Sequence, residues 1–99
     1  MEAIQNKIIL GRVLSTPGIN RAIARDPEYS RFVYESLRRH RRGDWGDVGE
    51  ACKEMNDEFA ENSNGGRQIT SCYKNPGGDI YIVTDQRNES TTIIFINEY

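Results

Sequence analysis

Histidine and tryptophan occur once each in this 99-residue chain, at His40 and Trp45, and cysteine twice, at Cys52 and Cys72. A single histidine seldom suffices for a zinc site, which draws its four ligands from several His, Cys or acidic side chains. Two cysteines suit a reducing compartment and read as small buried hydrophobes. No apolar run approaches the roughly 20 residues that span a bilayer. The start, Met1-Glu2-Ala3-Ile4-Gln5, has no basic segment leading into a long apolar one, so no signal peptide is expected and a cytoplasmic location follows. There is no glycine-rich phosphate loop, internal repeat or low-complexity tract, and no cofactor is expected.

What is present is an ordinary globular composition, 36% hydrophobic and 28% charged, sized for one domain spanning 1–99. The net charge of −2 hides a division. Residues 1–43 carry nine basic and four acidic side chains, and 44–66 carry one basic and seven acidic. The chain therefore presents a basic and an acidic surface, either of which is a candidate partner site.

Punctuation sets the elements. Lys7–Leu14 is apolar and β-branched and reads as a lead-in strand. Thr16 before Pro17, and Asp26 before Pro27, are two cap-plus-proline helix starts. The first helix runs to about Arg25 and the second to about Arg41, with Tyr29, Phe32, Val33 and Leu37 as its apolar stripe. Gly43 ends it. Asp47 with Glu50 signals a third helix from Val48 to about Asn62, with Val48, Ala51, Cys52, Met55 and Phe59 inward. Gln68–Lys74 and Asp79–Asp85 alternate as strands, and Thr91–Ile96 reads as a third, all joined by short turns. Helices gathered before strands predict an α+β fold: an N-terminal strand and two to three helices packed on a C-terminal three-stranded antiparallel meander. Thr91–Ile96 is almost continuously apolar and suits a central position.

The candidate functional residues gather between the second and third helices, in His40-Arg41-Arg42-Gly43-Asp44-Trp45-Gly46-Asp47. His40 with Asp44 and Asp47 offers a base with an orienting carboxylate, or three ligands to a divalent ion, with Ser71, Tyr73, Arg87 and Thr92 available from the strands. This is the enzymatic alternative: a small nuclease or phosphate-handling enzyme. Each residue also has a structural use: Asp47 as a helix cap, Asp44 as a turn former, His40 as a cation near a helix C-terminus, Trp45 as a plug bonded to backbone. Arg38, Arg39, Arg41 and Arg42 beside His40 and Trp45 would form a phosphate patch with one stacking ring, although an isoelectric point near 5.4 argues against a dedicated nucleic-acid binder. The favoured reading is a non-enzymatic protein-binding module. Its contact residues would be Arg38, Arg39, Arg42 and Trp45 on one side, and Glu50, Glu54, Asp57 and Glu58 on the acidic helix. The partner would be a larger host protein or a nucleoprotein complex.

The chain also carries Leu10-Gly11-Arg12-Val13-Leu14 with Thr16-Pro17-Gly18, then His40-x-x-Gly43-Asp44-Trp45-Gly46-Asp47, Asn56-Asp57, Ser71-x-Tyr73, Thr84, Thr91-Thr92-Ile93 and Glu98-Tyr99. These residues resemble a family of small uncharacterised bacterial proteins found on plasmids, phages and integrative elements. The resemblance implies a mobile-element accessory protein, and among such proteins counter-defence inhibitors of the anti-CRISPR or antirestriction type. The chain departs from that pattern at Arg87-Asn88-Glu89, where relatives have Asp-Arg-Ser, at Tyr81 in place of Trp, and at Ile96 in place of Pro.

Overall fold

A computed structural model describes residues 8–62 and 67–99. The order is β1 (Arg12–Ser15), α1 (Pro17–Arg25), α2 (Pro27–Arg41), α3 (Glu50–Glu61), β2 (Gln68–Tyr73), β3 (Ile80–Asp85), β4 (Ser90–Phe95) and a closing 3₁₀ turn, Ile96–Glu98. The fold is α+β. Among the described residues no helix is long and apolar enough to cross a membrane.

The strands form one mixed sheet in the order β1-β4-β3-β2. The antiparallel meander β2-β3-β4 is present as expected. The lead-in strand does not stand apart from it. Shifted to Arg12–Ser15, with Lys7 outside the described residues, β1 joins the sheet parallel to β4, with Val13 opposite Thr91 and Ser15 opposite Ile93, so the sheet has four strands and not three. This places β4 inside the sheet, the central position that its apolar run suggested.

Both cap-plus-proline starts hold. The Thr16 hydroxyl accepts from the Ile19 amide, and the Asp26 carboxylate accepts from the Glu28 amide. Gly43 lies just past the α2 cap at φ +88°. The third helix differs from expectation. It begins at Glu50, with Gly49 at the N-cap and no capping side chain, so Asp47 is not its cap. Ala51 and Met55 are exposed, whereas Asn56 and Ala60 are buried and Cys52 and Phe59 half-buried. The inward stripe is thus 52, 56, 59, 60. A polar residue was needed on it, for a reason given by the neighbouring strand edge.

One sheet face carries Ile69, Ser71 and Tyr73 from β2, Ile80, Ile82 and Thr84 from β3, and Thr91, Ile93 and Phe95 from β4, aligned by register. Two apolar clusters fill it. Ile19, Tyr29, Val33, Tyr73, Ile80, Ile82 and Ile93 pack beneath α1 and α2. Ile8, Trp45, Ala60 and Ile69 pack towards α3, with Leu10, Val48 and Phe59 at the margin. Both cysteines are free; Cys72 is buried and Cys52 half-buried.

Candidate functional site

The segment from His40 to Asp47 spans the junction between these clusters. The last turn of α2 carries His40 inward, where it is fully buried. Its Nδ1 lies 2.5 Å from Ser71 Oγ and its Nε2 lies 2.8 Å from Thr84 Oγ1. Thr84 Oγ1 is 2.7 Å from Thr91 Oγ1, which in turn donates to the Leu10 carbonyl at 2.7 Å. That terminal acceptor sets the direction of the whole chain. A carbonyl has no proton to give, so Thr91 donates to it and accepts from Thr84. Thr84 then accepts from His40 Nε2–H. In the neutral ring, Nδ1 accepts from the Ser71 hydroxyl. With a neutral imidazole every donor in the run meets an acceptor. Burial agrees, lowering the His40 pKa to about 3.

Asp44 and Trp45 are held as well. Asp44 accepts two hydrogen bonds from Arg39, at 2.8 and 3.2 Å, and a third from the Gly46 amide. The Arg39 guanidinium holds Asp44 below its usual pKa. Arg39 also lies over the Tyr73 ring, 4.9 Å from its centre. The Tyr73 hydroxyl donates to the Asp44 carbonyl at 2.6 Å, and burial raises its pKa. Trp45 is 4% exposed and meets the His40 ring edge-on at 5.7 Å. Its indole N–H donates to Asp57 Oδ1 at 2.9 Å, not to backbone as the sequence suggested.

Gly46 lets the loop approach the outer edge of β2. The Cys72 amide donates to the Trp45 carbonyl, and the Asp47 amide donates to the Cys72 carbonyl. A Cβ on Gly46 would stand 2.1 Å from the Cys72 oxygen, and the residue's φ is +73°. One step along the same edge, Asn56 of α3 exchanges two hydrogen bonds with the Thr70 backbone. The polar position on the α3 stripe therefore serves the strand edge.

The enzymatic constellation is not assembled in this arrangement. His40 faces Ser71 and Thr84, Asp44 faces Arg39, and Asp47 pairs on the surface with Lys74 at 3.5 Å. Arg87 is exposed in the turn after β3, and Thr92 points to the sheet face opposite Thr91. Among the described residues no three His, Cys or acidic side chains converge as a metal set. A shallow hollow of about 330 Å³ lies between Arg39, Asp47, Tyr73 and Lys74, and both of its cations are already paired with aspartates.

Of the proposed contact residues, Arg38 and Arg42 are exposed, Arg39 is engaged by Asp44, and Trp45 is inside. Glu50, Glu54 and Glu58 are exposed on α3; Glu50 pairs with Lys53, and Asp57 holds the Trp45 indole. Asn56, Thr84 and Thr91 were noted only within the resemblance and given no role; the signal for Thr84 was a hydroxyl on the face of Ile80 and Ile82. Comparison with protein-family models, curated proteins and solved structures finds no match.

Proposed function

We propose that this chain is a non-enzymatic protein-binding module that presents charged helix surfaces to a larger protein or nucleoprotein partner. The inhibitor role in counter-defence is the version that the family resemblance implies. The observation carrying this reading is the disposition of His40: it is fully buried, and both ring nitrogens are occupied by hydroxyls of the sheet. General acid–base catalysis needs a titratable group within hydrogen-bond reach of a substrate proton. The other residues with chemistry to offer are engaged within the protein, Asp44 by Arg39 at the surface and Tyr73 by the loop backbone. Exposed charges gather in two groups, Arg38, Arg41 and Arg42 at the end of α2, and Glu54, Glu58 and Glu61 on α3.

The test is capture of the tagged protein from its native host, with and without nuclease, in parallel with two charge-reversed forms, E54K/E58K and R38E/R42E. A stoichiometric protein partner that survives nuclease and is lost in one reversed form supports the module and identifies its contact surface. Recovery of nucleic acid alone, lost with R38E/R42E, replaces it with nucleic-acid binding.

A further inference from the structure

The two edges of the sheet are treated differently. The β2 edge is sealed by the Trp45–Asp47 segment at Cys72 and by Asn56 at Thr70. At the other edge, β1 gives one side to β4. The Arg12 amide donates to the Glu89 carbonyl and the Thr16 amide to the Ile93 carbonyl. Backbone groups alternate sides along a strand, so the amides and carbonyls of Val13 and Ser15 point outward. No proline lies within β1, and Arg12 is its one charge. Val13 and Leu14 are each 43% exposed. Natural edges are normally blunted by short length, prolines, bulges, several charges or covering elements. At four residues β1 is short, but beyond Arg12 it has none of the other devices among the described residues.

We propose that β1 pairs antiparallel with β1 of a second copy about a two-fold axis through Leu14, joining two sheets into one of eight strands. The exposed apolar Leu14 at the centre of these open groups, with the strand's one charge at its end, suits a copy of the same chain. Val13 and Ser15 flank Leu14 symmetrically. Setting Val13 opposite the partner's Ser15, and Ser15 opposite the partner's Val13, forms four backbone hydrogen bonds with no change of register. Leu14 then faces its own copy across a non-hydrogen-bonded pair, where Cα atoms approach to about 4.5 Å and side chains touch. It lies on the face of Thr92 and Val83, so the contact continues an existing surface.

Charge permits this arrangement. Arg12 falls opposite the partner's Thr16, and the two Arg12 residues stand four residues apart along the ladder, about 13 Å, beyond the physiological screening length of about 8 Å. An isologous two-fold contact is closed, so it ends at a dimer and does not propagate as a fibre. This proposal is independent of the functional reading above.

Sedimentation of the full chain from about 5 µM to 1 mM tests it. The expected result is a weight-average mass rising from 11.3 kDa towards twice that value. L14K and L14E, which place like charges on the axis, should each remain monomeric, and an equimolar mixture should recover the dimer. Hydrogen exchange on the unaltered chain gives a second reading, with the Val13 and Ser15 amides becoming protected as concentration rises. A wild-type chain that stays monomeric to 1 mM, a dimer that persists in L14K, or a mixture that stays monomeric overturns the proposal.

Discussion

Asn56 and Thr70 form a closed ring of two hydrogen bonds: Asn56 Nδ2 donates to the Thr70 carbonyl at 2.8 Å, and the Thr70 amide donates to Asn56 Oδ1 at 3.3 Å. A side-chain amide here imitates the next strand of the sheet. It satisfies both outward groups of an edge residue while α3 covers that edge.

Asn56→Ala should therefore cost about 2–3 kcal/mol, because it leaves the Thr70 amide unpaired and its carbonyl with only the weak Cys52 thiol donor beneath a helix. Asn56→Asp should be no better despite its matching shape, since a carboxylate facing the Thr70 carbonyl has no proton to donate. Urea midpoints at pH 7 check both. An Asp variant close to wild type would show that the ring contributes little.

The His40 network makes stability depend on pH in a defined sense. The folded pKa of about 3 lies below the ordinary value of 6.5, so between those values the unfolded chain binds the proton more readily. Stability contributed by neutral His40 is complete above pH 6.5, falls as pH drops below it by up to about 1.4 kcal/mol per pH unit, and is exhausted near pH 3. His40→Gln should be less stable at pH 7 and should lack this part of the slope. Denaturant titrations of both proteins from pH 7.5 to 4 measure the difference.

Gly46 and Gly49, three residues apart, should respond oppositely to substitution. At Gly46 a Cβ meets the Cys72 oxygen at 2.1 Å in a left-handed backbone, so Gly46→Ala should cost more than about 3 kcal/mol by lifting the loop from β2. Gly49 has φ −68° and ψ 161° with open space around it, and the α3 N-terminus has no capping side chain. Gly49→Asp should stabilise the fold by a few tenths of a kcal/mol, supplying an acceptor and a favourable charge at the dipole. Thermal melts of both variants decide the matter.

Trp45 joins the loop to α3. Trp45→Phe keeps most of the ring but removes the donor to Asp57, and should cost about 1–2 kcal/mol; Trp45→Ala should cost about 3–5 kcal/mol through the cavity it leaves. As the one tryptophan, it should also report unfolding by a red shift of its emission. A Trp45→Ala protein with an unchanged melting temperature contradicts the buried placement.

Much of this fold was legible in local chemistry. Thr16-Pro17, Asp26-Pro27 and Gly43 each act within a few residues, where capping and backbone preference decide the outcome. The alternation in β2 and β3 likewise identified which side chains share a face. Even so, the third helix start was misplaced. Asp47 has the right residue type for a cap, but its backbone was drawn into a bridge with Cys72, and the helix began three residues later.

By itself, the sequence determined the element types, the order of helices before strands, the division of charge and the loop that joins α2 to α3. Only the tertiary structure decided that β1 enters the sheet beside β4, that Asn56 seals an edge, and that His40 closes a run of hydroxyls. The reason is physical. Capping and periodicity act over three or four residues, whereas a histidine becomes a buried neutral link or an exposed base according to partners 31 and 44 positions away. Residue type defines what a side chain can donate or accept, and packing determines where that capacity is used.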